Sequence, residues 1–258
     1  MNIKLKNLSE QEVQDLLPDN LLFLAYRGSI AHGMYVPGSN PDSIDDKDLI
    51  GGFIAPETYY LGLQPAKVTR ERFYKEYDCV FYEIKKLISL LLNGNPNVLG
   101  VLWTSEQYMI YQSDFFKILK ANRELFFSKK IYHAFIGYAR SQLKRMTHHA
   151  FEGYMGEKRK ALVKKFGYDT KNAAHLIRLL TMGIEFLTEK TLFVERKFDA
   201  KYLMDIKRGK YGLEEIEKRS EVLFETAEQA YIKSDLPTVP DYDAINKLLV
   251  TFFKKHLL

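Results

Sequence analysis

A chain of 258 residues has room for one large domain or two smaller ones. Its 46% hydrophobic and 28% charged residues allow a packed core and exclude an intrinsically disordered chain. A lone cysteine, Cys79, excludes an intrachain disulfide and a cysteine-rich zinc site, and the net charge of +5 suits a nucleotide or nucleic-acid ligand without requiring one.

No stretch reaches the roughly 18 apolar residues of a membrane span, so no membrane partner is expected. The N-terminal residues carry charges throughout and are expected not to act as a secretory signal, which makes the cytoplasm the expected compartment. Ser9 followed by Glu12 forms a capping box and opens a short helix ending before Pro18. Residues 21–27 are a compact apolar run and read as a buried strand. Residues 28–45, rich in Gly, Ser, Asn, Pro and Asp, form a loop with one helical turn near 30–32. A second strand spans 49–54 and a loop spans 55–66. A third strand covers about 74–82, and a helix runs over 83–92 until Asn93-Gly94-Asn95-Pro96 stops it.

Beyond about residue 112 helical patterns dominate, over 114–127, 129–150, 170–189, 199–208, 213–232 and 242–256. Asp114 and Asp169 are candidate caps. The implied architecture is α+β: a catalytic core over 1–110 and an all-helical domain over 111–258.

The informative segment is YRGSIAHGMYVPGSNPDSIDDKDLIGG, residues 26–52. A buried strand runs into Gly28-Ser29, a polar loop follows, and Asp46 and Asp48 stand two apart where the next apolar strand begins. Residues i and i+2 of a strand share a face, so the pair can aim at one point, and two carboxylates so placed call for a divalent cation. Mg²⁺ prefers one or two carboxylates plus phosphate oxygens and water. Gly28 permits close backbone approach, and Ser29 offers a hydroxyl and an N–H to a phosphate. An Asp-x-Asp alone is a frequent loop pattern, usually solvated. The ordered combination on neighbouring strands carries the reading.

Strand, Gly-Ser, loop, Asp-x-Asp, strand resembles the signature of the DNA polymerase β-like nucleotidyltransferase superfamily, and more narrowly its RNA-repair-pathway branch, known from bacteria and phages. Further stretches share the likeness: DCVFYEIKKLISLLLNGNPNVLGVLW at 78–103, KNAAHLIRLL at 171–180 and LMDIKRG at 203–209. Two departures stand out. Sixteen residues separate Ser29 from Asp46, a longer loop than usual, and Asp45 stands where the branch has Ser. Strand parity keeps Asp46 and Asp48 as the pair.

The resemblance implies a polymerase β-like core of mixed sheet with flanking helices, followed by a helical domain completing the cleft. It implies two Mg²⁺ ions, with Mn²⁺ as a substitute, and transfer of a nucleoside monophosphate from a triphosphate such as ATP to a hydroxyl. An RNA or tRNA 3′ end is the leading acceptor; a protein or small-molecule hydroxyl, and a non-catalytic nucleic-acid-binding module, are the alternatives. It also implies a third metal-binding carboxylate, with Asp78 favoured and Glu83 the other candidate. Glu83 is also placed to be a helix N-terminal carboxylate. Lys171, His175 and Arg178 share one helix face and, with Arg208 beside Gly209, are the implied nucleotide or phosphate contacts. Residues 140–171 hold nine Lys or Arg against three acidic residues, and 158–160 with Lys164-Lys165 beside Tyr154 and Phe166 suit a nucleic-acid backbone. His32 reads as a loop-packing group, and the adjacent His148 and His149 diverge on a helix, against a shared metal.

Overall fold

The computed structural model describes residues 3–36, 47–147 and 157–257. They divide into two compact units. One comprises residues up to 92 with 98–126 and 240 onward; the other comprises 93–97 and 127–239.

The first unit opens with α1 (Glu10–Leu16), capped as its sequence dictates: the Ser9 hydroxyl accepts from Glu12 N–H while the Glu12 carboxylate accepts from Ser9 N–H. β1 (Leu21–Tyr26) follows, then the single turn α2 (Gly28–Ala31), β2 (Lys47–Phe53) and α3 (Glu57–Tyr60). Next come β3 (Thr69–Tyr74), β4 (Tyr77–Glu83) and α4 (Ile84–Leu92). Short 3-10 turns lead to β5 (Met109–Gln112) and α5 (Asp114–Ala121).

The strands form one mixed sheet in the order β3-β4-β2-β1-β5. β2 and β4 run parallel and every other pair is antiparallel. One face buries Leu24, Leu49, Phe53, Cys79 and Phe81 under Leu5, Val13 and Leu16 of the N-terminal segment. Each buried Leu, Val or Phe among them stabilises the unit by roughly 1.5–3 kcal/mol. On the other face Phe23 stacks on Phe116 of α5, and Gly52 leaves room for the Phe23 ring and Leu87 of α4.

Three details differ from the sequence reading. The strand expected over 74–82 is a hairpin of β3 and β4, because Lys75 turns the chain with φ 52°. Glu83 ends β4 rather than opening α4. Ser113, not Asp114, caps α5, its hydroxyl accepting from Phe116 N–H.

The second unit holds α6 (Lys130–Thr147), α7 (Glu157–Phe166), α8 (Thr170–Glu189), α9 (Ala200–Lys207) and α10 (Leu213–Lys233). α8 is its axis, with twelve buried residues, and α6 approaches closely because Gly183 faces Phe135. Asp169 caps α8, its carboxylate accepting from Asn172 N–H. Arg196 clamps the α8–α9 connection. Its Nη1 lies 2.6 Å from Glu185 and its Nη2 2.6 Å from Asp199.

The last helix, α11 (Tyr242–Leu257), belongs to the first unit. Phe252 packs on Phe115 with ring centroids 4.0 Å apart, and Phe253 packs on Tyr60. Residues 98–126 are also in that unit, so the boundary expected near 110 falls inside it. The sheet collects the segments that cover its faces, wherever they lie in the chain.

Candidate active site

Three strands leave the core at one end of the sheet. The burial of β2 begins only after Lys47 and Asp48, β4 is open at Asp78, and β1 opens at Tyr26. Asp48 and Asp78 are direct register partners across the parallel β2–β4 pair. Register partners project to the same side, so their carboxylates share a face. Their side chains keep 30% and 47% of their exposure, enough for a ligand to reach both.

Gly28 closes the arrangement on the β1 side. It has φ 61°, in the left-handed region where a side chain is strained. A Cβ there would run into a carboxylate oxygen of Asp48 and stand 3.1 Å from its Cγ. Glycine is therefore required twice over, once by the backbone and once by contact with the carboxylate. Ser29 follows at the start of α2, its carbonyl accepting from Met34 N–H at 2.8 Å. The structure brings the Gly28-Ser29 turn against Asp48, whose register partner is Asp78; Asp46, the other half of the pair read from the sequence, lies outside the described residues.

The sequence does not single out Arg27, yet the structure places it at the site. Its backbone N–H donates to the Asp48 carbonyl at 2.9 Å. Its Nη2 lies 4.0 Å from Asp48 Oδ1 and 3.8 Å from Asp78 Oδ2. Two further residues extend the row. Phe73 pairs with Asp78 across the hairpin and is 72% exposed, and Tyr82 stands four residues beyond Asp78 on its face. Burial pushes the Tyr82 hydroxyl pKa up, and the positive field of Arg27 opposes that. The signal for these residues is cross-strand register, which a single sequence does not print.

Glu83 goes elsewhere. Its odd position on β4 turns it to the face opposite Asp78. It is 1% exposed, accepts from the Tyr60 hydroxyl at 2.6 Å and accepts from Lys86 N–H at 3.1 Å. It caps α4, one of the two roles the sequence leaves open for it, and stands on the sheet face opposite Asp48 and Asp78. Tyr60 is correspondingly held protonated by burial and by that carboxylate. His32 is buried beside the turn, as a packing group would be.

Asp46 and its neighbour Asp45 lie outside the described residues, as do His148, His149 and Tyr154. Among the described residues no group of three or more His, Cys, Asp or Glu converges as a metal site. Asp48 and Asp78 nevertheless fit a hard divalent cation. They are two oxygen-donor groups in register, accessible, and beside a backbone turn that excludes any side chain.

The remaining candidates belong to the helical unit. Lys171, His175 and Arg178 lie along α8, all partly exposed. The His175 ring meets Tyr138 edge-on at 5.2 Å. Burial, reinforced by the charge of Arg196, pulls the Arg178 pKa down to about 10. Arg208 is exposed at the end of α9, next to Gly209. Gly209 has φ 72°, and a Cβ there would overlap the Phe166 ring, so this turn lies flat on α7. Thr170 anchors it by donating to the Lys207 carbonyl at 2.9 Å. Lys160, Lys164 and Lys165 of α7 are exposed.

A mixed sheet that carries a glycine-serine turn against in-register aspartates is the core of a nucleotidyltransferase. Residues 1–251 match the model of the RNA repair pathway DNA polymerase beta family, and the chain belongs to that family. Polymerase β-like nucleotidyltransferases generally use divalent metals. Among solved structures, a nucleotidyltransferase-like protein from Exiguobacterium sibiricum 255-15 is similar at 11% identity and TM-score 0.31, over 95% of this chain and 77% of that one. That likeness is too slight to carry an argument. No curated protein matches. No helix among the described residues is long and apolar enough to cross a membrane.

Proposed function

We propose that the chain transfers a nucleoside monophosphate from a nucleoside triphosphate to the 3′ hydroxyl of an RNA, a tRNA under repair being the leading case. The observation that carries this is the placement of Asp48 and Asp78 in register on one sheet face, against the Gly28-Ser29 turn. Asp46 joins them in the proposed ligand set on the Asp-x-Asp spacing of the sequence.

In this reading Asp46, Asp48 and Asp78 hold two Mg²⁺ ions, which Mn²⁺ can replace. When bound, the ions make the acceptor hydroxyl more acidic and offset charge on the triphosphate. The backbone around Gly28 and Ser29 receives phosphate oxygens, since no side chain intervenes there. By holding the cation, Asp48 and Asp78 would set where the reacting phosphate sits, and positioning is where most of the rate acceleration in phosphoryl chemistry arises. A bond forms between the acceptor oxygen and the α-phosphorus. The bond from that phosphorus to the pyrophosphate oxygen breaks, and the hydroxyl proton leaves to solvent.

The helical unit is proposed to bind nucleic-acid or nucleotide phosphates through Lys171, His175, Arg178 and Arg208, with Lys160, Lys164 and Lys165 offering charge to a backbone. These exposed lysines favour an RNA acceptor over a small molecule. The test is incubation with each labelled triphosphate, Mg²⁺ and total tRNA. Label on RNA that disappears in Asp48→Ala supports the reading. Label on a protein would transfer the activity to protein nucleotidylation. No label anywhere, with RNA still retained on a filter, would leave a binding module.

A further inference from the structure

Two carboxylates in direct register repel one another, and something must offset that repulsion whenever no metal is bound. Among the described residues, Arg27 is positioned to do so. Its guanidinium lies 3.8 Å from Asp78 and 4.0 Å from Asp48, while its own backbone N–H is tied to the Asp48 carbonyl at 2.9 Å.

The geometry is that of a loose counter-ion. Hydrogen bonds between nitrogen and a carboxylate run to about 3.2 Å, and both Arg27 separations exceed this. The Arg27 Nε is buried and has no hydrogen-bond partner among the described residues, so none of them clamps the head from behind. The side chain keeps 29% of its exposure, which leaves it a way out. Arg196 supplies the internal contrast. That guanidinium is 3% exposed and meets both its carboxylates at 2.6 Å, as a structural ion pair should. In the same protein, one arginine is locked between two acids and another merely hovers over two.

We infer that Arg27 is a resident counter-cation of the Asp48–Asp78 pair, which neutralises the carboxylates in the metal-free protein and opposes divalent-ion binding until its guanidinium is displaced. Arg27 is a positioning residue in this account. It keeps the acidic pair assembled before the ion arrives, and it raises the ion concentration at which the site fills. The inference rests on the reading of Asp48 and Asp78 as metal ligands.

The test is binding of Mn²⁺ alone, without nucleotide, measured at low salt by the free-ion paramagnetic resonance signal. Arg27→Gln is expected to bind Mn²⁺ about tenfold more tightly than wild type, because an opposing unit charge a few ångströms away is gone. Arg27→Lys, which keeps the charge, should stay near wild type. The difference should shrink on raising the salt, as exposed charge pairs are screened. Melting temperatures should cross-check this: Arg27→Gln melts below wild type in chelator, and the gap narrows with Mn²⁺. Should Arg27→Gln fail to fold, the wild-type Arg27 Nε–H resonance followed during a Mg²⁺ titration decides instead. A shift supports displacement, and an unmoved resonance at saturation overturns it. Wild type that binds Mn²⁺ no more weakly than folded Arg27→Gln also overturns the inference while leaving the metal reading intact. No Mn²⁺ bound by folded wild type or variant would remove both.

Discussion

Gly28 is the most exacting position in the proposed site, and Gly28→Ala tests it with a single methyl group. The backbone there has φ 61°, which costs a non-glycine residue about 1 kcal/mol. The new Cβ would also overlap the Asp48 carboxylate, standing 3.1 Å from its Cγ. Restoring ordinary contact of about 3.5 Å requires the carboxylate oxygen to retreat by about 1 Å. Displacement of that size in a reacting assembly costs about a hundredfold in rate. Stability should fall by only about 1–3 kcal/mol, the usual cost of overpacking. The assay is single-turnover transfer at saturating triphosphate, read beside a thermal melt. Gly33→Ala is the control. Gly33 has φ 69° and is exposed, so alanine there adds the same backbone strain while leaving Gly28 unchanged. If Gly28→Ala transfers within fivefold of wild type, or Gly33→Ala loses as much, the close approach of turn and carboxylate has no part in the chemistry.

Asp78→Asn and Glu83→Gln should separate cleanly. The first is expected to lose at least about a hundredfold in transfer with a near-normal melt. The second should lose about 1–3 kcal/mol of stability through its Tyr60 and Lys86 bonds, checked by urea denaturation, and should retain transfer while folded. Arg196→Ala leaves two carboxylates in a mostly buried site and should cost about 3–5 kcal/mol by the same denaturation. Burial, assisted by the charge of Asp78, pushes the Cys79 thiol up to about 12 from an ordinary value near 9. The native protein should therefore resist thiol reagents at pH 8. The unfolded state releases this proton first, so this group makes stability fall as pH rises from about 9 towards 12, measurable in denaturant melts.

Much of this arrangement was legible because it is local. The capping box at Ser9 and Glu12, the Asp169 cap of α8, and the apolar runs of β1 and β2 each declare themselves within a few residues. Gly28 and Asp48 stand out in the sequence through the Gly-Ser and Asp-x-Asp spacing, although the parity argument pairs Asp48 with Asp46, which lies outside the described residues. The hairpin of β3 and β4 was hidden for a physical reason. Its turn uses Lys75, which gives no turn signal, and β3 is an edge strand whose sequence TRERFY has no buried face. Glu83 was ambiguous because a residue at a strand–helix junction has both periodicities available. Arg27, Phe73 and the pairing of Asp48 with Asp78 depend on register between strands, which is set by the packing of the whole sheet.

The return of α11 to the sheet unit has a consequence for how the protein is made. The helical unit is nested inside the sheet unit along the chain, between residues 127 and 239. A nascent chain therefore exposes the apolar surface around Phe115 and Tyr60 until Phe252 and Phe253 emerge to cover it. The helices can condense as soon as they leave the ribosome, whereas the half that bears the aspartates is finished last. A chain stopped after residue 239 should keep its helical half and leave the sheet half prone to aggregation, so that loss of the C-terminal helix removes the acidic pair from a distance.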